Sequence, residues 1–205
     1  MSRISLTFLI FGYAFLYVPI AFIIISSFSD SEIPGIWTKF SIRWFQEVLK
    51  NHDLLDAAIT SFKIAAISAT CSTILGITAA TRSNKFLNKI IVLPIAIPEI
   101  LIGFSLLMLF ISDFIAIPRG VITVIIGHTV LTIGYVYMTV KNSFKNFDKS
   151  LEEAAMNLGA KPITVLFRIK LPIMGRTIMS GWLFAFTLSL DDVVIASFLN
   201  GPGAT

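Results

Sequence analysis

An all-α integral membrane protein is the fold class this sequence predicts, and three observations carry it. Of 205 residues 56% are apolar and only 14% charged, whereas soluble domains are about a quarter charged. The mean hydropathy is +0.86. The apolar residues gather into five runs, 6–28, 57–81, 90–112, 120–140 and 173–199, each near the roughly 20 residues that cross a 30 Å hydrocarbon layer at 1.5 Å per residue. Five transmembrane helices are expected, in a single domain without internal repeats or linkers.

The first run follows Arg3 and could be read as a signal peptide. It exceeds the 7–15-residue apolar region of such peptides, and no A-x-A site follows, so a retained helix is expected. Between the first and second runs, residues 36–56 interleave Trp37, Phe40, Trp44, Phe45, Val48 and Leu49 with charges. From Ser41 the apolar spacing is near-helical, as in a helix lying in the membrane interface. Direct contact with a transported solute is the alternative.

The third run contains Pro94 and Pro98, followed by Glu99. Prolines free backbone carbonyls and kink a helix, so Glu99 is a candidate residue of a polar path. A purely structural role, with Lys63 of the second run as counter-ion, is the alternative. Lys63 itself is expected to snorkel outward, and Arg176 toward the cytoplasm.

The distribution of Lys and Arg orients the helices. With the N-terminus inside, Arg3, Arg82, Lys85, Lys89, Lys141, Lys145, Lys149, Lys161, Arg168, Lys170 and Arg176 face the cytoplasm. Lys39, Arg43, Lys50 and Arg119 face outward. The expectation is a cytoplasmic N-terminus, with residues 201–205 outside. Topology thus accounts for the net charge of +4, and no basic-aromatic pattern points to nucleic acid.

The fourth and fifth runs flank a cytoplasmic loop, residues 141–172, unlike an ordinary connection. Ser150-Leu151-Glu152-Glu153 reads as a capping box, Gly159 as a left-handed helix stop, and Pro162 as the first residue of a second short helix. Ala154 and Ala155 leave a low-relief face for another protein. A docking helix-turn-helix is expected.

In the fifth run, Asp191 and Asp192 are costly in a bilayer unless they face protein or water. About 100° apart on a helix, they cannot point the same way. Two readings stay open: lining a path for a cationic solute, or an S-x-x-D cap from Ser189 opening a new half-helix.

Other chemistry finds no footing. No G-x-x-x-x-G-K-[ST] loop is present to hold ATP. Cys71 stands alone, and His52 and His128 have no acidic or thiol companion at ligand spacing, so no metal site or enzyme constellation is expected. His128 reads as a polar packing residue.

The loop also carries a resemblance. Glu153-Ala154-Ala155, three residues, Gly159, nine residues, then Ile169-Lys170-Leu171-Pro172 fills every fixed position of EAA-x3-G-x9-I-x-LP. This resembles the EAA motif of permease subunits of bacterial binding-protein-dependent ABC importers. LYVPIAFIIISSFSDS, WTKFSIRWF and SGWLFAFTLSLDDVVIASFLNGPGAT extend the resemblance to spermidine/putrescine importer permeases of the PotC/PotI type.

The resemblance implies a type I ABC importer transmembrane domain (MetI-like) in a bacterial inner membrane. It implies as partners a dimer of ATP-binding subunits, a second permease subunit and an extracytoplasmic polyamine-binding protein, besides membrane lipid. Glu153, Ala154, Ala155 and Gly159 would meet the ATP-binding subunit, which alone would hold ATP and Mg. Such permeases usually have six transmembrane helices, so the expectation here is a chain lacking the last. The alternatives are an importer of another cargo, such as ferric iron, and a truncated remnant that does not transport.

Overall fold

The computed structural model describes residues 3–33, 35–82, 85–113 and 115–201. Pro202 to Thr205, placed outside by the charge distribution, lie beyond the described residues. The chain divides into two compact units, Met1–Ala57 and Ala58–Thr205.

In the first unit, α1 (Arg3–Ser26) is followed by a short turn region and α2 (Arg43–Lys50). β pairing among the described residues is one isolated antiparallel bridge, Ser29 with Phe40. Ser29 organises the turn: its buried hydroxyl donates to the Ile36 carbonyl at 3.0 Å and accepts from the Thr38 amide at 3.3 Å. Phe28 packs on Phe40 and Phe45 at ring separations of 5.5 and 5.2 Å. α2 forms where the spacing from Ser41 onward predicts a helix, opened by the Ser41 hydroxyl accepting from the Arg43 amide at 3.1 Å. α3 (His52–Thr81) runs from this unit into the second.

The second unit continues through α4 (Lys85–Ala96), α5 (Glu99–Ile111) and α6 (Val121–Lys145). Small residues of α3 pack on α6: Ala65, Ser68, Ala69, Ser72 and Gly76 are all buried. Two apolar helices gain no hydrophobic energy by meeting in lipid, so close approach and hydroxyl bonding hold them together. Ser68 Oγ donates to the Ile125 carbonyl at 3.2 Å, and Ser72 Oγ lies 2.6 Å from Thr132 Oγ1. A Cβ on Gly76 would meet Val136 Cγ1 at 3.0 Å and the Tyr137 amide nitrogen at 3.1 Å. The Tyr137 hydroxyl bonds Asn88 Oδ1, tying α4 to α6.

Beyond α6 come α7 (Lys149–Asn157), α8 (Pro162–Val165), a π-helical turn at Leu166–Lys170 and α9 (Leu171–Ile173). Then follow α10 (Gly175–Asp191) and α11 (Val194–Leu199). α11 is gripped closely by α6, since a Cβ on Gly127 would lie 2.5 Å from Leu199 Cδ1 and 2.7 Å from Ile195 Cγ2.

Among the described residues three helices are long and apolar enough to span a membrane, Ser5–Ser26, His52–Thr81 and Val121–Lys145. The number rises to five if each bent pair counts as one span.

Two expected spans are not single helices. The third, residues 90–112, is broken into α4 and α5, bent by 113°. Pro94 is accommodated inside α4, whereas Pro98 takes ψ 137° and ends the helical run. A residue before proline is disfavoured in the α region, so Ile97 is where the chain leaves the helix. The fifth, residues 173–199, is broken at Asp192. At its other end, the arm Pro162–Ile173 meets α10 through a 73° bend.

Candidate functional site

Two groups of residues in the second unit carry chemistry beyond packing. The first is the polar connection from α6 to α10. Its helix-turn-helix form is as expected, with one correction at its start. The cap of α7 is Asp148, whose carboxylate accepts from the Ser150 amide at 2.9 Å, not a box of Ser150 and Glu153. A carboxylate two residues upstream meets the partial positive charge of a helix N-terminus better than a hydroxyl does. The Ser150 amide, and after it the Ser150 hydroxyl, hold the Asp148 carboxyl below its ordinary value.

At the other end, Gly159 has φ +86°, the left-handed conformation read from the sequence. The Gly159 amide bonds the Met156 carbonyl at 2.9 Å and the Ala160 amide bonds that of Ala155 at 3.1 Å. Together these complete a Schellman stop. Pro162 then opens α8, where its missing N–H is not required.

α7 therefore stands as a short, capped rod with no buried residue. Glu153, Ala154 and Gly159 are exposed, Ala155 is half-buried, and Leu158 beside them is 90% exposed. Of the four expected contact residues, Glu153, Ala154 and Ala155 lie on α7 and Gly159 at its C-terminal stop. Beneath it a cleft of about 430 Å³ is lined by residues including Thr81, Phe144, Glu152, Ile163 and Lys170.

The second group lies at the break between α10 and α11. Asp192 Oδ1 accepts from the Val194 and Ile195 amides at 2.9 and 3.1 Å. A side chain that competes for backbone amides in this way interrupts a helix and starts the next. The capping alternative is therefore realised, by Asp192 rather than by Ser189.

The other oxygen of Asp192 turns into the protein, its side chain 2% exposed, and sits 3.1 Å from Nε2 of buried His128. That pair is at ion-pair distance but out of hydrogen-bond line, and neither atom has a hydrogen-bond partner among the described residues. His128 Nδ1 lies 2.7 Å from Oγ of buried Ser189. Which of Ser189 Oγ and Nδ1 donates in that bond is set by the ring's tautomer.

His128 has no acidic companion at ligand spacing in the sequence, but the fold brings Asp192 to it. No short spacing reveals this, because Asp192 lies far along the chain, at the end of another helix. The only signal was one histidine in an otherwise apolar run.

Asp191, the last residue of α10, is exposed, whereas the side chain of extended Asp192 is buried. Glu99 is exposed in the first turn of α5, beside the 113° bend. The expected pairing with Lys63 is not among the ion pairs of the described residues, and Lys63 is itself exposed.

The class of this α-helical chain with broken, membrane-length helices is given by sequence comparison. Residues 72–205 match the family described as binding-protein-dependent transport system inner membrane component. The chain belongs to that family, and is a permease component of a bacterial inner membrane.

Particular relatives can be named. The putrescine transport system permease protein PotI of Escherichia coli K12 is 41% identical over 209 residues, covering 96% of this chain and 74% of the relative. The spermidine/putrescine transport system permease protein PotC of the same strain is 35% identical, covering 93% and 74%. PotC of Haemophilus influenzae is 35% identical, covering 98% and 81%.

Proposed function

We propose that this chain is a permease subunit of an ATP-driven polyamine importer. It would form part of the path for putrescine or spermidine together with a second permease subunit. Its substrate would arrive on an extracytoplasmic binding protein, and the energy from a dimer of cytoplasmic ATP-binding subunits. The relatives at 41% and 35% identity, both named for polyamine transport, support the cargo.

The observation that carries the coupling role is the preformed α7 rod, capped at both ends and without a buried residue, which offers Glu153, Ala154 and Gly159 outward. A rigid element with a low-relief face is what a groove on a motor subunit can grip. With the N-terminus in the cytoplasm, as the lysine and arginine distribution favours, this loop lies on the side where ATP is hydrolysed. ATP and Mg belong to the partner.

In the path itself, the exposed carboxylates Asp191 and Glu99 supply negative charge to a polycation. Asp192 is turned inward and serves by holding the break beside Asp191 open. The broken helices place backbone polar groups at the path, as discontinuous helices of transporters do.

The test is energised uptake of radiolabelled putrescine in cells without their own polyamine importers, supplied with the partner subunits and either this chain or Glu153→Ala. Uptake that falls with Glu153→Ala supports the proposal. Absence of putrescine uptake where a polyamine permease relative works refutes the cargo.

A further inference from the structure

Lys170 closes the π-helical turn, in which the Leu171 amide reaches back to the Leu166 carbonyl. Such a turn holds one residue more than the α register allows and shifts the side chains after it. The Lys170 ammonium lies 2.6 Å from Glu152 Oε2 on α7. It also sits over the rings of Phe144 and Phe147, at 5.9 and 5.7 Å, at the end of α6 and in the turn after it.

One ammonium thereby touches three separate elements. Its side chain is 19% exposed and that of Glu152 32%, so water screens the pair less than it would a surface ion pair. The two phenyl faces add cation–π attraction from the other side. The alternatives for anchoring α7 are few, since no residue of it is buried.

Neither residue occupies a fixed position of the loop motif. Glu152 precedes the motif's glutamate, and Lys170 fills the variable place between Ile169 and Leu171-Pro172.

We propose that Glu152 and Lys170 form a clasp that sets the pitch of α7 against the α8–α10 arm, making both of them positioning residues for energy coupling. A push on α7 reaches α10 through this pair as one lever. With the pair open, α7 can still be gripped but swings without moving α10. The coupling role rests on the reading under Proposed function; the geometry of the clasp does not.

The experiment uses the whole complex, with its second permease, ATP-binding dimer and binding protein, in proteoliposomes. Putrescine transported per ATP hydrolysed is measured for the native chain, Lys170→Arg, Lys170→Glu, Glu152→Lys and the double swap. Each charge reversal is expected to lower that ratio about fivefold or more, the low end of typical coupling, while the complex still co-purifies. Lys170→Arg and the double swap are expected to recover most of it. Reversals that leave the ratio unchanged, or a swap no better than either reversal, overturn the proposal.

A second readout is independent of cargo. Spin labels at Met156 on α7 and Met179 on α10, both exposed, report the spread of distances between the two helices. The clasp predicts a broader distribution in each reversal and a narrow one in the swap, and an unchanged distribution overturns it. If the native complex moves no putrescine while the distribution still responds, the cargo assignment fails and the clasp stands.

Discussion

Replacing Asp192 with alanine removes two interactions at once. One carboxylate oxygen takes the Val194 and Ile195 amides at 2.9 and 3.1 Å, and the other faces His128 Nε2 at 3.1 Å. Loss of an N-cap costs about 1 kcal/mol. Losing the ion-pair contact with His128 costs about 1 kcal/mol more. A total near 2 kcal/mol corresponds to a fall in melting temperature of about 4–8 °C for a chain of this size.

Asp192→Asn separates the two. Asparagine caps as well as aspartate, so only the buried half should suffer, at about 1 kcal/mol or about 2–4 °C. The assay is thermal unfolding of the detergent-solubilised chain, followed by circular dichroism, with His128→Ala alongside. If Asp192→Ala melts within about 2 °C of the native chain, the carboxylate does not hold this break. Equal losses for alanine and asparagine would show that capping contributes nothing.

Gly159→Ala tests the stop of α7: no atom lies within 4 Å of the added Cβ, so the penalty is the backbone's alone at φ +86°. That penalty is about 1–2 kcal/mol, and amide exchange in the last turn of α7 should accelerate about 5–30-fold. The Asp148 cap gives a pH dependence of definite sign. Its folded carboxyl is lowered chiefly by the Ser150 amide, so the added stability of α7 is present above the ordinary carboxylate value. It is lost as pH falls through the lowered one. Protection of the α7 amides, corrected for the intrinsic pH dependence of exchange, should therefore fall below about pH 4, and Asp148→Asn should flatten that fall.

Much of the fold follows from local rules that a sequence displays. Span length gave the positions of α1, α3 and α6. Gly159 and Pro162 announced their turn because left-handed φ and a missing donor are properties of single residues. Pro98 signalled a kink, but not its 113° size, which depends on what α4 and α5 pack against. The break at Asp192 is half legible: the S-x-x-D pattern signals a cap, but the side chain that accepts the amides is Asp192 and not Ser189.

The misses share a cause. Asp148 and Ser150 both qualify as caps, and choosing between them requires knowing where the last turn of α6 ends. His128 meets Ser189 and Asp192 only after α6 and α10 have packed side by side, and Lys170 meets Glu152 only after a π turn has shifted it. Such contacts belong to the tertiary structure and have no trace in neighbouring letters.

The hydroxyl-bonded seam between α3 and α6 has a mechanical consequence. Ser72 and Thr132 at 2.6 Å, Ser68 on the Ile125 carbonyl and the close fit at Gly76 leave these two long helices no slack to slide. We expect any rocking of this unit to bend where its broken spans leave helical geometry, at Pro98, Met174 and Asp192 among the described residues. Stiffening one of them should slow the conformational cycle without altering what the unit recognises.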